Sequence, residues 1–216
     1  VIAALALLLL AAQEPTQPPQ AGDIKPSPWR EMPGTPDEQQ GQPRRDPRVT
    51  LYFFQKCVAE RSTERATKTL AGDFTKPEYS ASMKLLAKVN ESCLRARRST
   101  LKADGLLAGG ALAEALIKAD PALINVRLAR AATKPAPATY SPTDQAAMCV
   151  VRSVPDDVAK LFATKIASAE EKAAADALQP IMAQCLQGRR AEITTEGLRA
   201  MLATAAFRSI YAVAAK

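Results

Sequence analysis

From about Leu51 onward, apolar residues recur every three or four positions and are separated by charged or polar ones. That spacing places them on one stripe of an α-helix. One stretch has Met83, Leu86, Val89, Cys93 and Leu94 in this register, which predicts a helix ending at a cysteine with those five side chains on its buried face. Aromatics are only 5% and β-branched runs are scarce, and the residues that dominate (Ala, Leu, Lys, Arg, Glu) are good helix formers. The expected fold class is all-α.

The pattern also repeats. Residues 57–118 laid over 149–210 without gaps align Cys57 with Cys149, Leu86 with Leu178, Cys93 with Cys185, Arg97 and Arg98 with Arg189 and Arg190, and Gly105 with Gly197. Ala-rich chains align easily by composition, but composition does not keep both cysteines in register. A tandem duplication of a unit of about four helices is therefore expected. The first helix of each unit leads into its first cysteine, from Leu51 to Ala59 in one and after "SPTD" in the other, where Ser141 or Thr143 would cap. The second is "STERATKTLAG" or "SVPDDVAKLFA", with Ser153 as the expected cap. The third opens on capping-box spacings, Thr75 to Glu78 and Ser168 to Glu171. The fourth runs from about Ala103 to Lys118 and from about Thr195 to Tyr211. The expected layout is repeat 1 over 49–118, a connecting segment over 119–140 with a short helix around "ALINVRLARA", and repeat 2 over 141–216.

The N-terminal stretch reads differently. Residues 1–12 are an uncharged apolar run ending in alanines, too short for the roughly 20 residues a membrane-spanning helix needs and suited to the core of an export signal. Residues 13–48 are crowded with proline and glutamine, a composition that buries too little apolar surface to fold, and are expected to be a disordered linker. Trp29 lies within it. The mature chain is expected to carry no transmembrane span and to reside in the periplasm or outside the cell.

An exported chain with four cysteines points to disulfides. Four cysteines allow three pairings, and the sequence alone does not choose among them. The repeat does, because both units space their cysteines alike: Cys57 with Cys93, and Cys149 with Cys185. No metal site is expected, since zinc sites pair their ligands two to four residues apart and these cysteines do not.

Composition narrows the chemistry further. The chain has no histidine, so the commonest general base and metal ligand are missing. The net charge of +7 comes from 29 basic and 22 acidic residues that are interspersed, without an aromatic-lined basic stripe, so nucleic acid is not an expected partner. Ser99 and Lys102 match the S-x-x-K pattern of penicillin-binding enzymes, but neither K-T-G nor S-D-N follows, and the second unit has Ala191 and Thr194 there. The pairs Asp156 with Asp157 and Glu170 with Glu171 sit in the first turn of predicted helices, where negative charge is stabilising without further function. The glycines of "GLLAGGALAEAL" lack a phosphate-loop ending and suit close helix packing. Asn90-Glu91-Ser92 is a formal glycosylation sequon.

Arg97, Arg98, Arg189 and Arg190 are the candidate anion- or partner-binding residues, because guanidinium groups grip phosphates and carboxylates. Cations beyond a helix end also complement its dipole, which is the alternative account. The stretches "CVVRSVPDDVAKL" and "ASAEEKAAADALQPIMAQCL" resemble small exported alphaproteobacterial proteins without an assigned activity, built from one or two two-cysteine helical units. That resemblance implies a cell-envelope location and carries over no catalytic residue. The expected function is a non-enzymatic binding or envelope-interaction module with an unknown protein or acidic envelope component as partner and no cofactor. The alternatives are a histidine-free hydrolase or transferase and a structural spacer.

Overall fold

The computed structural model describes residues 46–94, 105–189 and 191–211, and among them every regular element is helical. The first helix, α1 (Pro47–Arg61), begins inside the stretch expected to be linker. Asp46 caps it by accepting from the Arg48 amide at 2.7 Å, and Pro47 is pre-set for the first helical position. Helix α2 (Thr63–Ala71), α3 (Pro77–Val89) and a short 3-10 turn (Glu91–Cys93) follow, then α4 (Gly105–Ala119). Helix α5 (Ile124–Ala132) lies in the connecting segment. The second series is α6 (Pro142–Ser153), α7 (Pro155–Ala163), α8 (Ala169–Cys185) and α9 (Thr195–Tyr211).

Helices α2 and α7 start and stop 92 positions apart, α3 and α8 start 92 apart, and α4 and α9 stop 92 apart. Their caps correct the sequence reading in two places. Ser141 and Ser168 accept from the amides of Asp144 and Glu171, each at 3.1 Å, as expected of N-caps. Thr75 does not cap: its hydroxyl donates to Asp73, and α3 starts one residue later, after Lys76. Ser153 ends α6, and Val154 stands at the cap position of α7.

Helices α4 and α9 make the most extensive helix–helix contact. A Cβ built on Gly110 would lie 2.5 Å from the Cα of Ala200, so this crossing requires glycine on α4. Helix α1 covers α4, α6 covers α9, and α5 packs on α7 and α9. One apolar cluster takes in Val58, Leu70, Leu86 and Leu112 with Val150, Phe162, Leu178 and Phe207, so both series share a core. The cysteines pair as the repeat predicts: Cys57 with Cys93 and Cys149 with Cys185, at Cα separations of 5.8 and 5.9 Å. No described helix is long and apolar enough to cross a membrane.

The buried stripe predicted for α3 is mostly not buried. Leu86 is 1% exposed, but Val89 is 50% exposed and Met83 only partly covered. In α8, by contrast, Ala175, Leu178 and Met182 are all buried, because α8 lies against α6, while no comparable contact joins α3 to α1.

Candidate functional site

Two clusters of buried charge lie where the two helical series meet. The first is built on Arg199 of α9. Its guanidinium donates to both oxygens of Glu114 on α4, at 2.6 and 2.8 Å, and to Glu171 on α8 at 3.2 Å. It also donates to the carbonyl and hydroxyl of Thr164. Arg48 of α1 closes the set by donating to the other oxygen of Glu171 at 3.1 Å, and the Ala167 amide donates to that same oxygen at 2.7 Å. Lys118 donates to Glu114 at 2.6 Å and sits 5.4 Å from the centre of the Tyr52 ring.

Glu114, Glu171 and Arg199 are all buried, which is tolerable because every carboxylate oxygen has a cationic or amide donor. Ion pairing with Glu114 and Glu171 holds the Arg199 guanidinium above its ordinary value, against a desolvation that acts as the largest single influence and pulls the other way. Burial raises the Tyr52 hydroxyl above the usual tyrosine range, Glu114 adds to this, and Arg199 opposes it. A small pocket of about 40 Å³ opens beside these groups, lined among others by Arg48, Leu51, Tyr52, Ile166, Glu171 and Glu196.

The second cluster is built on Arg208, also of α9. It ion-pairs with buried Asp144 of α6 and donates to the Ala138 carbonyl at 3.2 Å. Its guanidinium carbon lies 5.8 Å from the Phe74 ring centre and 5.2 Å from that of Tyr140, a cation held between two aromatic faces. Phe74 and Tyr140 meet edge to face at 5.7 Å, and Tyr79 packs against Phe74 at 6.5 Å. Burial pushes the Tyr79 hydroxyl up to about 12, with Arg208 opposing.

The two clusters occupy the same places in the two series. Arg48 and Tyr140 are 92 residues apart, as are Tyr52 and Asp144, Phe74 and Ile166, and Tyr79 and Glu171. Each cluster takes its first-helix residues from one series and its third-helix residues from the other. The first cluster borders a pocket, and in the second Arg208 lies against Asp144, Phe74 and Tyr140.

The residues singled out from the sequence stand apart from both clusters. Arg97, Arg98, Ser99, Lys102 and Arg190 lie outside the described residues. Arg189 follows Gly188, is exposed, and makes none of the ion pairs among the described residues. Asp156 accepts from Asn125, and Asp157 pairs with Lys160, as surface charges. Glu170 is fully exposed, with a carboxyl lowered chiefly by its hydrogen bond to Ser168. Its neighbour Glu171 is 1% exposed, so the reading of that pair as first-turn charge misses the buried network. The described residues contain no set of acidic or cysteine side chains placed to hold a metal. The glycine run does serve helix packing, at Gly110.

No family model, no curated protein and no solved structure matches this chain.

Proposed function

We propose that this is an exported, non-enzymatic binding module, a tandem duplication whose first copy docks on an acidic component of the cell envelope. The observation that carries this reading is the outer face of α3. Lys84 and Lys88 are exposed one turn apart, and Leu85 and Val89 beside them are exposed to 48% and 50%. A face that interleaves lysine with aliphatic side chains suits an anionic surface, through charge attraction and insertion of the apolar groups. The second series builds the same helix without it. There the corresponding residues are Asp176, Pro180, Ala177 and Ile181, and Ile181 packs against the core. The fold therefore does not require the α3 pattern.

The buried carboxylates support binding over catalysis, since general acid–base work needs an oxygen free to face a substrate, and those of Glu114 and Glu171 are taken up by their partners. Two linked copies also suit a binder, since a second weak contact raises the effective concentration of the first.

The test is co-sedimentation of the oxidised chain with phosphatidylglycerol vesicles, with phosphatidylcholine vesicles as control. Beside it run Lys84→Glu/Lys88→Glu and a variant with Arg97, Arg98, Arg189 and Arg190 changed to Glu. The expected result is selective binding to the anionic vesicles that the lysine variant loses while keeping its thermal midpoint. Equal sedimentation of wild type and lysine variant would remove α3 from the reading. Loss confined to the arginine variant would move the docking surface to the repeated arginine pairs.

A further inference from the structure

The pocket beside Arg199 keeps open space and unused polar groups. The Tyr52 hydroxyl and the Glu196 carboxylate make none of the hydrogen bonds or ion pairs among the described residues, yet both line the pocket. Arg48 spends Nη1 on Glu171 and Nε on Asp46, which leaves its Nη2 for another acceptor. The walls beside these groups are apolar, from Leu51, Ile166 and Ala200. Behind them, Glu114, Glu171 and Arg199 are saturated by one another and have no affinity left to offer.

We propose that this cleft binds the head group of a free α-amino acid, with its carboxylate toward Arg48 and Tyr52 and its ammonium toward Glu196. Three features point to that class of ligand. The groups left open carry both signs of charge, Arg48 through its Nη2 and Glu196 through its carboxylate, so neither a simple anion nor a simple cation is favoured. A volume of about 40 Å³ has room for about three waters, the scale of an amino-acid head, with the side chain directed out of the opening. The residues at the corresponding positions of the second cluster show what the fold admits there, because a guanidinium is held by Asp144, Phe74 and Tyr140. This site shares no residue with the α3 face and is independent of the envelope-docking reading.

The experiment is a titration of the oxidised full chain with glycine and L-alanine, followed by calorimetry and by amide chemical shifts, with acetate and methylammonium as half-ligand controls. Both amino acids are expected to saturate one site, and each fragment to bind at least about tenfold more weakly, since each forfeits one charge-assisted contact. Tyr52→Phe keeps the ring beside Lys118, and neither it nor Glu196→Gln removes any of the hydrogen bonds or ion pairs among the described residues, so each is expected to weaken amino-acid binding about tenfold and leave the melting temperature in place. Acetate binding as tight as glycine would overturn the proposal in favour of a plain anion site. Absence of saturation at tens of millimolar, or binding indifferent to both substitutions, would overturn it outright.

Discussion

Helices α3 and α8 occupy the same place in the two series, begin at positions 92 apart and are each tied at the C-terminal end by a disulfide, but they are held by different means. Helix α8 is capped by Ser168, buries Leu178, Ala175 and Met182, and inserts Glu171 into the charge network of Arg199 and Arg48. Helix α3 has no side-chain cap, buries Leu86 alone, and has Tyr79 where α8 has Glu171. The difference teaches that one topology leaves a choice at its third helix. It is integrated into the core in one series and largely released to solvent in the other, where its outer face is free for another role.

The largest effect is expected from breaking what integrates α8. Glu171→Ala would leave the guanidinium groups of Arg199 and Arg48 without their shared carboxylate in a buried setting. Removing one partner from such a network typically costs about 3–5 kcal/mol. Chemical denaturation of the variant should show a loss in that range, and because the network joins α1, α4, α8 and α9, the loss should be global. A change under about 1 kcal/mol would show that the network is compensated by water and that α8 is held by its apolar face alone.

The disulfides sharpen the same contrast. Both close loops of 36 residues, so loop entropy alone predicts equal contributions of roughly 3–4 kcal/mol each. Native packing predicts different consequences. With Cys149→Ala/Cys185→Ala, α8 should stay docked through Leu178, Met182 and Glu171, and its amides should exchange only with global unfolding. With Cys57→Ala/Cys93→Ala, α3 should open locally, since Leu86 is its one fully buried apolar side chain, Tyr79 and Met83 are only partly covered, and the side-chain amide of Asn90 donates to Ser62 at 3.0 Å. Hydrogen exchange on the two variants distinguishes these outcomes, and equal protection of α3 and α8 in both would abolish the comparison.

The all-helical class and both cysteine pairings were legible in the sequence, because helical periodicity and a repeat in register each leave a strong linear signal. The caps at Ser141 and Ser168 were legible for the same reason, as local features. Three things were not. Periodicity marks Val89 as belonging to an apolar face, but how far that face is covered is a tertiary matter, and here Leu86 is buried while Val89 stays half exposed. The buried charges Glu114, Arg199 and Arg208 pair across 85, 28 and 64 residues, and nothing local joins them. Their one trace was a lone charge embedded among small apolar residues, as in "ALAEALI" and "AAFRSIY". The arginine pairs drew notice because they are adjacent and repeated, yet the buried arginines that organise the structure are single and unrepeated: Arg199 stands opposite Leu107 in the repeat, and Arg208 opposite Leu116.

The smallest effect at neutral pH, and the most selective, concerns Tyr79. Its hydroxyl makes none of the hydrogen bonds among the described residues, and it stands so close to α4 that a Cβ on Gly109 would lie 2.8 Å from it. Tyr79→Phe keeps the ring against Phe74 and is expected to change stability at pH 7 by no more than about 0.5 kcal/mol. High pH separates the two proteins. Burial raises the folded hydroxyl to about 12 from an ordinary 10.0, so between those values the folded state binds more protons than the unfolded one. Stability that is fully present below pH 10 must then fall as pH rises toward 12, by about 2 kcal/mol for this group. The Phe variant lacks that proton and should lose less. The difference between the two denaturation midpoints, followed from pH 9 to 12, isolates Tyr79 from the lysines that titrate alongside. A difference that does not vary with pH would mean that the Tyr79 hydroxyl is solvated, and that α3 is held even more loosely against α4 than its single buried leucine implies.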